Sequence, residues 1–147
     1  MHIARANGIQ PLVTLLDDGT LKAHKHAFDA LARLAVGNAD NQGQIAKHEV
    51  ALLANPNHGT QQRAAHALCN LAANNPGSPV IIVNAGAISP LVTLLAQGPP
   101  EVKEEAAGTL STLAFNSPST QLAIATGLVA LIGTGSAEAQ VNARALH

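Results

Sequence analysis

Between residues 79 and 115 the apolar positions fall into three blocks with helical spacing. Val80-Ile81-Ile82-Val83 stops at Ala85-Gly86, which predicts a short helix over 79–84. Leu91-Val92, Leu94 and Leu95 follow Pro90, a residue tolerated in a first helical turn, so a second helix is expected over about 88–96. Val102, Ala106, Leu110, Leu113 and Ala114 then recur at three- and four-residue intervals, which predicts a third helix over about 100–115. Pro99-Pro100 starts it, and Glu101, Glu104 and Glu105 suit the positive end of its dipole.

The same pattern recurs along the chain. Pro11-Leu12-Val13-Thr14-Leu15-Leu16 returns unchanged as Pro90–Leu95, an offset of 79 residues, and weaker copies stand at Val50–Leu53 and Leu128–Ile132. Each unit opens on an isoleucine, at Ile3, Ile45, Ile82 and Ile124, with spacings of 42, 37 and 42. The third helix carries a Leu-x-x-Leu-Ala pattern, seen as Leu31/Leu34/Ala35, Leu68/Leu71/Ala72 and Leu110/Leu113/Ala114. Three residues beyond its second leucine stands Gly37, Asn74 or Asn116, types that tolerate the left-handed conformation closing a helix. Pro76 and Pro118 then prevent continuation. The second and fourth units lack five residues at the same place, so their first two helices are expected to be fused or the first vestigial. Gly133-Thr134-Gly135-Ser136 occupies the place of Gly19 and Gly98 and is expected to form an inter-helix turn. The chain therefore reads as one all-α repeat domain over 1–147, with units at about 3–44, 45–81, 82–123 and 124–147, the last truncated.

Composition narrows the function. Charged residues make up 12 % of the chain and aromatic ones 1 %, with a formal net charge of −1. Neither a basic surface for nucleic acid nor rings to stack on its bases are present. No apolar run reaches the ~18–20 residues of a bilayer span. A single cysteine, Cys69, forms no intrachain disulfide, which suits a reducing, intracellular compartment, cytoplasmic or nuclear.

Three-helix units of about 42 residues, with Ala-Gly-Ala-Ile-Ser-Pro-Leu-Val-Thr-Leu-Leu at 85–95 followed by Ala106, Leu110, Leu113 and Ala114, resemble armadillo repeats. The match is fullest over 82–116, good over 3–37, gapped over 45–74 and partial over 124–147. The resemblance implies an α–α superhelix of importin-α or β-catenin type, about 3.5 repeats long, with the third helices lining a concave surface. Both ends cut through a repeat and no polar capping unit is visible, so weak stability or end-to-end self-association is expected.

Candidate chemistry is sparse. The seven histidines lack His-x-x-x-His spacing, and His58 is placed in a loop. His48-Glu49 is similar to the His-Glu pairs of helical-repeat deoxyhypusine hydroxylases, but a single pair does not supply a two-metal site. Cys69 aligns with Ala32 and Ser111 in a slot for small side chains, where packing explains it. Neither a catalytic residue nor a cofactor is indicated.

The resemblance places the interaction site on the third helices. Importin-α-type repeats carry a tryptophan and, four residues later, an asparagine that grips a peptide backbone. The tryptophan slots here hold Asp29, His66, Gly108 and Arg144; the asparagine slots hold Arg33, Asn70 and Thr112, so only Asn70 matches. One turn earlier on the same face lie Lys25, Gln62 and Glu104. Without tryptophan there is little cation–π attraction for a basic peptide, and the mixed charges make the face nearly neutral. The expected role is a scaffold holding a protein or extended peptide along this face. An importin-α-like import adapter and the substrate-binding repeats of a larger enzyme, such as a U-box ubiquitin ligase, are the alternatives.

Overall fold

The computed structural model describes residues 21–145, and side-chain surroundings for 26–132. Seven helices and no strand occur among them: α1 Leu21–Ala35, α2 Ala39–Leu52, α3 His58–Asn74, α4 Ser78–Asn84, α5 Ile88–Gln97, α6 Pro100–Ala114 and α7 Pro118–Ala145. The three helices expected in the 79–115 stretch are α4, α5 and α6, with ends displaced by at most two residues. Between α4 and α5 the chain turns by 81° at Gly86, whose φ of +90° is disfavoured for side chains with a Cβ.

The missing five residues act as expected in the second unit. Without the Ala-Gly-Ala connector, nothing breaks the helix between Ala39 and Leu52, and α2 and α3 form a two-helix set. In the fourth unit the fusion goes further than expected. α7 is continuous from Pro118 to Ala145, so Gly133-Thr134-Gly135-Ser136 is helical and the predicted turn is absent. Glycine in a helix costs about 1 kcal/mol relative to alanine, which weakens a helix without ending it; no proline stands at this point to remove a backbone donor.

Helix ends use a repeated device. Gly37 and Asn116 adopt the left-handed conformation, with φ of +64° and +53°. Seven residues after the last alanine of the helix, a glutamine side chain donates to that alanine's carbonyl: Gln42 Nε2 to Ala35 O at 2.8 Å, and Gln121 Nε2 to Ala114 O at 3.0 Å. Asn74 departs from expectation and remains helical. The equivalent of Gln42 at this junction is Pro79, which has no amide to donate. Asn75 takes over: it turns extended, as a residue before proline prefers, and its Nδ2 donates to Leu71 O at 3.1 Å.

The core is a single cluster of small and branched aliphatic side chains. Repeat positions coincide with burial: Ala27, Ala64 and Ala106, like Leu31, Leu68 and Leu110, are at most 4 % exposed. Alanines let neighbouring helices approach closely, so no aromatic side chain is needed to fill the space between them. Along the array, α2 packs on α1, α3 and α4, and α6 packs against α3, α5 and α7. Among the described residues no single helix is long and apolar enough to cross a membrane.

Candidate functional site: the α3–α6 ladder

The neighbouring third helices α3 and α6 pack closely side by side. Ala64, Ala65 and Leu68 of α3 and Ala106 of α6 belong to the same buried cluster, and a polar contact ties the two helices together. Thr109 is fully buried, and its Oγ1 lies 2.8 Å from Ala65 O across the interface and 2.8 Å from Glu105 O in its own helix. One hydroxyl proton serves both carbonyls, so Thr109 stitches α6 to α3 without leaving a buried polar atom unsatisfied. Sequence reasoning missed this contact. Its one signal is a threonine three residues after Ala106 in an otherwise apolar stripe.

Polar side chains line the open side of the seam. His66 Nδ1 lies 3.3 Å from Glu105 Oε2, with the two side chains 57 % and 29 % exposed. Glu104, the residue the repeat register places on this face, is exposed beside Glu105. One turn along, Cys69 Sγ meets Thr112 Oγ1 at 3.5 Å, and Thr112 Oγ1 also donates to Gly108 O at 3.0 Å. The half-buried Cys69 is thus a packing residue between the two helices, as its small-residue slot suggested. Asn70 is half-buried, and its amide makes no hydrogen bond to another described residue.

Of the nine candidate residues, His66 and Asn70 from α3 and Gly108 and Thr112 from α6 lie on adjacent helices along this seam. Glu104 is exposed one turn before Gly108, and Gln62 is half-buried one turn before His66. Asp29 and Arg33 are exposed on α1. Lys25 belongs to α1, but its side chain lies outside the described set, as does that of Arg144 in α7. Gly108 has open space where a side chain would stand, since a Cβ built there meets nothing within 4 Å.

The remaining candidates form no second site. His26, His58 and His66 are exposed, and His58 opens α3 instead of lying in the preceding loop. Its place follows from the cap: Asn57 Oδ1 accepts from Thr60 N at 3.0 Å, so the helix begins one residue after Asn57. Glu49 is 1 % exposed and faces the core, whereas His48 is only half-buried, so the adjacent pair diverges. No three His, Cys, Asp or Glu side chains converge on a metal-sized space among the described residues.

Residues 75–115 match the model of the Armadillo/beta-catenin-like repeat. No curated protein matches the chain. Among solved structures, an engineered protein from the Northeast Structural Genomics Consortium is 32 % identical with a TM-score of 0.62, covering 97 % of this chain and 62 % of its own. A designed armadillo repeat protein in complex with the peptide (KR)4 is 28 % identical with a TM-score of 0.62, covering 86 % of this chain and 55 % of its own. A second engineered protein is 31 % identical with a TM-score of 0.61, covering 81 % and 51 %. The chain thus spans between 51 % and 62 % of the length of these three structures.

Proposed function

The chain is an armadillo-type repeat solenoid, and from that premise we propose that it is a protein-interaction scaffold that holds an extended polypeptide along the α1–α3–α6 face. The observation that carries this reading is the half-buried Asn70 amide, which follows the polar pairs His66–Glu105 and Cys69–Thr112 along α3 and makes no hydrogen bond to another described residue. A side-chain amide offers both a donor and an acceptor, which matches one peptide unit of an extended ligand. A similar designed protein is described as bound to (KR)4, which supports a peptide as the class of ligand. The ligand preferred here differs from that basic peptide. No tryptophan flanks Asn70, and its neighbours are an imidazole, a glycine and a hydroxyl, so polar and uncharged side chains fit better than alternating lysine and arginine.

Work inside the cell and the absence of a catalysed reaction belong to the same proposal. The import-adapter alternative is disfavoured by the missing tryptophan–asparagine array. The test is selection of random extended peptides on the wild-type chain, followed by titration of the winners against Asn70→Ala. A loss of about tenfold is expected, the worth of roughly 1.4 kcal/mol of hydrogen bonding to the ligand backbone. Peptides that bind the variant as tightly as wild type would remove the ladder as the site. Weaker binding of (KR)4 than of the selected peptides is the second expected result.

A further inference from the structure

On the reading that the third-helix ladder is the binding face, we propose that the polypeptide it selects is an amphipathic extended segment, in which apolar and polar side chains alternate.

Residues seven apart in a helix are close to two full turns apart and share a face. Seven residues after Gly108 stands Phe115, seven after His66 stands Ala73, and seven after Asp29 stands Val36. Phe115 is 77 % exposed and Val36 is 67 % exposed. Ala73 is exposed as well, although α6 packs beside α3, so this position is open even where the next third helix is in place. Phe115 follows the last helical alanine of α6, but its φ of −58° keeps its Cβ on the helical path and so on the face of Gly108.

Towards the beginning of the same helices the face is polar. Glu101 and Glu104 are exposed on α6, and Glu105 reaches across to His66. Asn70 and Thr112 run between the two rims, three residues before Ala73 and Phe115 and four after His66 and Gly108. The ladder is therefore amphipathic across its width: carboxylates and an imidazole on one side, a phenyl ring on the other, and the Asn70 amide in the middle.

An extended chain that crosses the helices along this middle line sends successive side chains to opposite sides. With one of its peptide units on the Asn70 amide, one set falls towards Phe115 and Ala73 and the other towards the glutamates. Three residues of helix rise about 4.5 Å and four about 6 Å, so each rim lies within a side chain's reach of that line. Apolar side chains gain by covering a ring that otherwise stands in water. On the other rim they would desolvate carboxylates, whereas hydrogen-bond donors suit those groups. Alternation satisfies both rims at once; a uniformly polar or uniformly apolar strand satisfies one.

Two peptides of identical composition, titrated against the full chain by calorimetry, test this. One alternates leucine with glutamine, the other gathers the leucines at one end, and both carry flanking lysines for solubility. The alternating peptide is expected to bind about tenfold tighter, the scale of one well-placed apolar anchor. Phe115→Ser, at an exposed site where circular dichroism should match wild type, is expected to erase most of that preference. Leu122→Ser, at a comparably exposed site on α7 outside the ladder, is expected to leave it unchanged. Asn70→Ala is expected to weaken both peptides alike, because it meets only their backbone. Equal affinity for the two peptides, with both weakened by Asn70→Ala, would overturn the alternation and leave the ladder standing. Binding indifferent to Asn70→Ala would remove the ladder and the alternation together. A preference that survives Phe115→Ser or disappears in Leu122→Ser, or no measurable binding of the alternating peptide, would also overturn the proposal.

Discussion

Replacing Gly108 by alanine tests the helix assignment and the openness of the ladder together. Gly108 lies inside α6, which runs from Pro100 to Ala114, with a full helical turn formed on either side of it. A Cβ there meets nothing within 4 Å, so no steric cost opposes the change. What remains is helix propensity, about 0.8–1.0 kcal/mol in favour of alanine. With a urea m-value of about 2 kcal/mol/M, the unfolding midpoint should rise by about 0.4–0.5 M. Gly37→Ala is the matched contrast: its Cβ space is equally empty, but its φ is +64°. The left-handed conformation costs an L-residue about 1–2 kcal/mol. The stiffer unfolded chain returns about 0.4–1 kcal/mol. The net is a loss of about 0.5–1 kcal/mol and a midpoint lower by about 0.3–0.5 M. Urea titrations followed by the circular dichroism of the helices read both variants. Midpoints that move in the same direction would refute the reasoning, because the two sites differ only in backbone conformation.

Further substitutions probe the packing. Leu68→Ala empties a fully buried site in α3 and should lower stability by about 3 kcal/mol in the same titration. Thr109→Val keeps the shape but removes the bond to Ala65 O, so a loss of about 1 kcal/mol is expected, measured by thermal unfolding. Asn57→Ala removes the acceptor for Thr60 N and should cost about 1 kcal/mol, with faster amide exchange at Thr60 while Thr109 stays protected.

Helix positions were readable wherever a proline, a glycine or a strong apolar period marked them. Pro99-Pro100 and the Val102–Leu113 stripe placed α6, and the Ala85-Gly86 break separated α4 from α5. The lost connector foretold the single helix α2. Where the mark was only glycine and hydroxyl residues, at 133–136, the reading failed, because helix continuation is a small balance of propensities that no single residue there decides. Asn74 departs because tolerance of the left-handed conformation does not compel it: here Pro79 stands where the other two ends have a glutamine, and the extended Asn75 caps Leu71 O instead. In the candidate site, the ladder residues were legible through the repeat register, but the pairing of His66 with Glu105 was not, since adjacent glutamates at 104 and 105 differ only in which way the helix turns them.

The sequence by itself determined the repeat, its alternating length, the helical periods and the choice of alanine and leucine for the buried slots. These are properties of spacing within one stretch of chain, and a helix of 3.6 residues per turn converts spacing into a face without help from its neighbours. Tertiary structure alone decided the register between α3 and α6, the Thr109 stitch, and the exposure of Val129 at a position that Val92 keeps buried. Those outcomes depend on which helix lies alongside, and the same apolar residue is buried or exposed according to whether a neighbour covers it.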